Sequence, residues 1–136
     1  MSNVNIKNKK AFFEFHILSK YSAGIALLGT EIKSIRNNNA NLSDAFCTFN
    51  NSELYIKNSQ IGELQNAGLN NHTPKRDRKL LLNRLELNKI ESKVKEKGIT
   101  IIPLRLFINK NGKAKIEIAL SKGKKLFDKR ESIKEK

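Results

Sequence analysis

Short runs of alternating apolar and polar residues recur along this chain, and they predict strands. Over residues 11–18 (AFFEFHIL), Phe13, Phe15 and Ile17 alternate with Glu14 and His16, the period of a half-buried strand. Tyr21-Ser22-Ala23-Gly24 reads as a turn. Residues 25–35 read as a second, longer strand, with Gly29 marking a bulge or bend of the kind small barrels need at corners. Asn37-Asn38-Asn39 tolerates left-handed backbone and marks a loop, and residues 42–45 suit one helical turn. Residues 46–49 and 53–56 are short strands around Asn50-Asn51-Ser52, a hairpin signal. Residues 65–71 are polar, include Gly68 and read as loop.

Helical spacing begins at Thr73-Pro74, where Thr suits an N-cap and Pro the first helical position. Residues 75–82 are predicted as a short helix. A second helix is predicted over 84–97, capped by Asn83 with Glu86 three residues on, carrying Leu87, Ile90 and Val94 on one face and stopped by Gly98. Residues 99–108 return to strand. Ile102, Leu104, Leu106 and Ile108 are expected on one face, and Pro103 argues for an edge or a bulge. Asn109-Lys110-Asn111-Gly112 is the strongest turn signal in the chain. Residues 113–120 form the last strand, with Ala114, Ile116, Ile118 and Leu120 facing in. The apolar period then disappears, and residues 121–136 read as a basic tail without order of its own. The expected architecture is mainly β. It is an OB-fold-like closed barrel of six antiparallel strands over residues 1–120, with helices inserted at about 74–97.

Composition narrows the function. The chain has 136 residues, with 27 Lys and Arg against 13 Asp and Glu, a formal charge of +14. No apolar run approaches the ~18 residues of a membrane span. Residues 1–10 lack the apolar block of a secretory signal, and the lone Cys47 excludes an internal disulfide, so a reducing, cytoplasmic setting is expected. The charge is lopsided. Residues 1–72 hold seven basic and five acidic residues; residues 73–136 hold twenty and eight. It concentrates in PKRDRK (74–79) and SKGKKLFDKRESIKEK (121–136). A polyanion, nucleic acid before membrane, is the partner such charge selects.

Catalytic candidates are poor. Cys47 sits beside Phe46 and Phe49 in a predicted strand and reads as a packed small residue. His16 beside Glu14, or His72 before the predicted cap, is the material for an RNA-cleaving base. No acid pair at a telling spacing and no phosphate-binding Gly-rich loop supports either. No cofactor or metal is implied, and the chain is read as a non-enzyme. Binding candidates are better. Lys75, Arg76, Arg78 and Lys79 would crowd a helix start, against the helix dipole, where a phosphate would repair the conflict. Replacing Arg78 and Lys79 by Ala is then expected to flatten the salt dependence of RNA binding. In the tail, Lys122, Lys124, Lys125, Lys129 and Arg130 flank Phe127, whose ring suits either stacking on an unpaired base or clipping the tail to the barrel.

The chain resembles the family of SsrA-binding proteins (small protein B) of bacteria over nearly its whole length. The resemblance rests on Asn8-Lys9-Lys10-Ala11, Ala23-Gly24-Ile25, Gly29 to Arg36 (GTEIKSIR), Asn41-Leu42-Ser43-Asp44, Arg76 to Asn83 (RDRKLLLN), Gly123-Lys124-Lys125 and Asp128-Lys129-Arg130, in that order and spacing. It implies an OB-like barrel that binds the tRNA-like domain of transfer-messenger RNA (SsrA RNA). The barrel escorts that RNA to 70S ribosomes stalled without a stop codon, where trans-translation tags the incomplete protein. It further implies alanyl-tRNA synthetase and elongation factor Tu as partners through the RNA, and contact with 16S rRNA at the decoding centre. The working form is a cytoplasmic monomer with no membrane partner. By position, RNA contact falls on Lys79, Leu81, Asn83 and the loop before Gly24. Lys33, Arg36 and Asn41, within the matching motifs, are further candidates. Lys122, Gly123, Lys124, Lys125, Phe127, Asp128, Lys129 and Arg130 match the ribosome-facing part. Many members carry Glu at the position of Ser22, which removes one implied contact. Members usually continue past Lys136 with a basic helical tail, so a chain ending there is expected to bind RNA and to fail in tagging. A general OB-fold single-strand binder, or a ribosomal protein, is the alternative.

Overall fold

The hairpin turns form where their residues put them. β4 (Phe46–Asn50) and β5 (Glu53–Lys57) are joined through Asn51 and Ser52, both at positive φ (54° and 63°), the backbone of a tight hairpin turn. β8 (Ile99–Ile108) and β9 (Ala114–Gly123) are joined through Asn109 to Gly112; the Asn109 side chain accepts from Asn111 and Lys113 N–H, and Gly112 has φ 79°. The computed structural model describes residues 4–65 and 67–123. Its remaining elements are β1 (Asn5–Lys7), α1 (Lys9–Glu14), β2 (Phe15–Ile25), α2 (Gly29–Arg36), β3 (Ala40–Asn41), β6 (Gln60–Ile61), one 3-10 turn (Gly68–Asn70), β7 (Arg78–Leu81) and α3 (Arg84–Val94). The predicted turn over residues 42–45 closes through Ala45 N–H to Leu42 O at 3.0 Å.

Six strands close into an antiparallel ring in the order β8-β4-β5-β7-β2-β9, with β9 pairing back onto β8. β1 adds to the outer edge of β8, and β3 pairs with β6 apart from the barrel. The ring encloses Ala23 and Ile25, Leu54 and Ile56, Leu80, Ile101 and Leu106, and Ile116, Ile118 and Leu120. Ile35 of α2 and Leu87 and Ile90 of α3 pack on the same core. Each such buried Leu or Ile contributes about 1.5–3 kcal/mol of transfer free energy. Cys47 is packed here as expected, and burial pushes its thiol pKa up. No helix among the described residues is long and apolar enough to cross a membrane.

Four expectations are corrected. The first predicted strand is split, because residues 9–14 are helix: α1 buries only Ala11 and leaves Phe12 and Phe13 exposed. Residues 21–24 are strand, where Ser22 pairs with Glu117 and Gly24 with Lys115. Residues 29–36 are helix, since Glu31, Ser34 and Ile35 point inward at helical spacing. Residues 75–82 contain no helix. Arg78 and Leu80 face in while Lys79 and Leu81 face out, and β7 pairs with both β5 and β2, which overrides the helix propensity of its leucines.

β8 also differs in its faces. A register shift between Pro103 and Arg105, the expected bulge, reverses the inward parity of the strand. Before it Ile101 faces the barrel core; after it Leu106 does. Ile102 and Leu104 instead join Ala11 and Ala119 in a second cluster beneath α1. The helix cap at Asn83 is as expected, its side chain accepting from Glu86 N–H at 2.8 Å. β9 extends to Gly123, so Ser121, Lys122 and Gly123 complete a strand rather than begin a tail.

Candidate nucleic-acid interface

Glu31 organises one end of the barrel. It lies in the first turn of α2, where its Oε1 accepts from Leu28 N–H at 2.7 Å. The same oxygen meets Arg76 Nη2 at 2.7 Å, and Oε2 accepts from Arg76 Nε at 3.1 Å and from Arg78 Nε at 2.7 Å. Arg78 is fully buried, and the rest of its guanidinium donates to Ser59 O and Oγ, both at 3.0 Å, and to Pro74 O at 3.1 Å. Burial pushes the Glu31 carboxyl up, but hydrogen bonds from Arg76, Leu28 N–H and Arg78 outweigh it and hold the pKa below the usual carboxylate range. Burial lowers the Arg78 pKa from its ordinary high value, and Glu31 raises that of Arg76. Two of the four clustered cations thus serve the fold. The expected Arg78 phosphate contact has no exposed atom to make it, and Arg76 offers only its outer part.

Beside this network lies a groove of about 370 Å³ lined by Gly24, Leu27, Ile32, Leu81, Lys113 and Lys115. Its floor is apolar because β2 and β7 approach closely there: a Cβ on Gly24 would meet Leu81 Cβ at 3.3 Å. Leu81 is half exposed and Leu28 nearly so. Lys113 and Lys115, from the β8–β9 hairpin, supply the charged rim; neither was singled out from the sequence. A strand register is what unites them with Gly24 and Leu81, since Gly24 pairs with Leu81 on one side and Lys115 on the other. An apolar floor with cations at the rim suits a phosphodiester backbone whose sugar or base edge packs inward.

The other candidates scatter. Lys79 faces out from β7 and meets Glu53 at 3.5 Å. Asn83 spends its oxygen on the α3 cap. Lys33 and Arg36 are exposed on α2. Asn41 and Lys75 line a small cleft with Gln60, away from Leu81, and Asn41 Oδ1 accepts from Ser43 N–H at 2.8 Å. Lys122 is exposed on β9 opposite His16, and Gly123 pairs with Phe15. Lys124, Lys125, Phe127, Asp128, Lys129 and Arg130 lie outside the described residues. His72 is buried, with Nδ1 2.8 Å from Thr30 Oγ1 and Nε2 2.8 Å from Ile61 O, so both ring nitrogens are engaged and neither faces a substrate.

Comparison with known proteins covers nearly the whole chain. A family model described as SmpB protein matches residues 5–136. The SsrA-binding protein of Cytophaga hutchinsonii is 60% identical over 136 residues, covering 100% of this chain and 89% of that protein. That of Bacteroides thetaiotaomicron is 57% identical over 134 residues (98% and 89%), and that of Thermosipho melanesiensis 50% over 129 residues (95% and 88%). A solved chain described under "tmRNA-SmpB: a journey to the center of the bacterial ribosome" superposes with a TM-score of 0.76 at 38% identity, covering 88% of this chain and 84% of that one.

Proposed function

The chain belongs to the SmpB protein family, and from that membership we propose that it is an RNA-binding adaptor of trans-translation. It binds transfer-messenger RNA through the tRNA-like domain and brings it to stalled ribosomes. The observation that carries this is the family match across residues 5–136. The Gly24–Leu81 groove with its Lys113 and Lys115 rim is the surface we assign to the RNA. Chemistry stays with the RNA and the ribosome. Alanyl-tRNA synthetase and elongation factor Tu meet the protein through the RNA, in the cytoplasm.

The test is competition. A transcript of the tRNA-like domain is expected to bind tightly and to resist displacement by poly(U). Equal displacement would mark a general single-strand binder instead.

Two variants probe the surface. Lys113→Ala with Lys115→Ala is expected to lower the slope of log affinity against log salt by about 0.7–0.9 per lysine, with the unfolding midpoint unchanged. An unchanged slope would place both lysines in solvent. Gly24→Ala pushes a methyl against Leu81. It is expected to weaken RNA binding several-fold while unfolding in urea shifts little, because Leu81 is exposed and can yield only by closing the groove. Equal binding by this variant would move the contact elsewhere.

A further inference from the structure

On the outer face of the barrel, four residues before the β8–β9 turn begins at Asn109, the Arg105 guanidinium carbon lies 4.1 Å from the Phe107 ring centroid, over its face. Arg105 and Phe107 are two apart on one strand, beyond the bulge, so both face outward while Leu106 between them faces the core. Glu117, opposite Arg105 on β9, holds its Nε at 3.6 Å. The arginine is therefore fixed from two sides, by a ring beneath and a carboxylate beside, yet 36% of its side chain stays open.

The neighbours are cationic. Lys7 on β1 is opposite Arg105, and Lys115 is opposite both Phe107 and Gly24. Among the described residues, Lys7, Lys113 and Lys115 have no carboxylate within ion-pair distance. Phe107, Lys115 and Gly24 lie in one cross-strand row, so Phe107 sits about 5 Å, one strand spacing, from Lys115 on the groove rim and about 10 Å from Gly24. That row carries the groove's cationic rim up to Phe107.

We propose that Arg105, held over Phe107 and steered by Glu117, is a stacking platform for one unpaired base of the bound RNA, next to the Gly24–Leu81 groove. The inference rests on the RNA-binding reading and adds a base-contacting subsite to it. A guanidinium plane stacks on any base face, and an aromatic beneath it fixes that plane before the RNA arrives. Lysine has charge but no plane, so Arg105→Lys separates stacking from simple attraction.

The experiment uses the full chain and a tRNA-like-domain transcript carrying 2-aminopurine at its unpaired positions, one at a time. Wild type is expected to change the fluorescence at one position. Arg105→Lys and Phe107→Leu are expected to abolish that change and to weaken binding on the order of tenfold. The salt slope of Arg105→Lys stays at the wild-type value, and circular dichroism and the urea midpoint report that the variants are folded. Glu117→Gln is expected to lose part of the signal. Two results overturn the platform: Arg105→Lys binding as wild type with the signal retained, or Arg105→Ala lowering the slope by about one while Arg105→Lys restores full affinity, which marks a phosphate contact. Displacement of wild type by poly(U) strikes the transfer-messenger reading alone; the Arg105→Lys signal then decides the platform on single-stranded RNA.

Discussion

Glu31→Ala is expected to cost about 3–5 kcal/mol of folding stability, a large part of the ~5–15 kcal/mol that holds a typical domain together. The reason is what it leaves behind. Arg78 is fully buried beside Glu31 at 2.7 Å, and without Glu31 its charge would have no carboxylate within ion-pair distance among the described residues. Arg76, one third exposed, can turn to water. Urea unfolding followed by circular dichroism measures the loss. A second variant isolates the charge. Glu31→Leu with Arg78→Met removes both buried ions together, and buried pairs replaced by apolar residues are often near neutral. The double variant is expected to be more stable than Glu31→Ala alone. If it is no better, the double variant carries a cost of its own as large as the stranded charge, because the carbonyls of Ser59 and Pro74 lose their Arg78 donor. Arg78→Ala belongs to the same class, so its effect on RNA binding would follow from unfolding.

The same network sets an acid limit. A carboxyl whose folded pKa lies below its unfolded value stabilises the fold fully above the unfolded pKa, ~4.3 for Glu, and loses that contribution as pH falls through the folded value. Wild-type stability is therefore expected to decline below about pH 4. Glu31→Gln, starting lower, should decline less steeply over the same range. Parallel profiles would assign acid unfolding to other carboxylates.

Hydropathy periods revealed most of the barrel and missed the parts that polar residues build. The hairpins at Asn51-Ser52 and Asn109 to Gly112 were legible because their turns demand particular residues. α2 was not, because two of its three buried positions are Glu31 and Ser34, which a hydropathy pattern counts as exposed. β7 was hidden for the same reason: its inward residues are Arg78 and Leu80, and its outward ones Lys79 and Leu81, so the alternation cancels. A basic cluster therefore read as one surface when Arg78 is interior and Arg76 is tied to Glu31. The one hint was Glu31, the only acid between Glu14 and Asp44. The groove itself was half legible. Leu81 and the neighbourhood of Gly24 came from the family resemblance, but Lys113 and Lys115 join them only through strand pairing across three strands, which spacing along the chain does not encode.

Introduced into a chain extended past Lys136 by the basic helical tail usual in the family, Asp128→Ala, Lys129→Ala and Arg130→Ala together are expected to leave affinity for the free tRNA-like domain nearly unchanged and to abolish tagging in a reconstituted translation reaction on a message without a stop codon. These residues lie outside the described part of the chain, and their charge sets the expected effect. The three changes remove two cations and one anion, a net loss of one charge from +14. Long-range attraction to RNA is barely altered by that. If Lys129 and Arg130 neutralise phosphates of the free RNA, removing them lowers the salt slope by about 0.7–0.9 each. If they act only on the ribosome, the slope is untouched. Lys113 and Lys115 line the barrel groove that we propose for the RNA, well separated in sequence from residues 128–130, and this is why the slope is expected to hold. A fall in both slope and free-RNA affinity would merge the barrel groove and the basic C-terminal segment into one RNA site. Preserved affinity with tagging intact would remove residues 128–130 from the ribosomal step altogether.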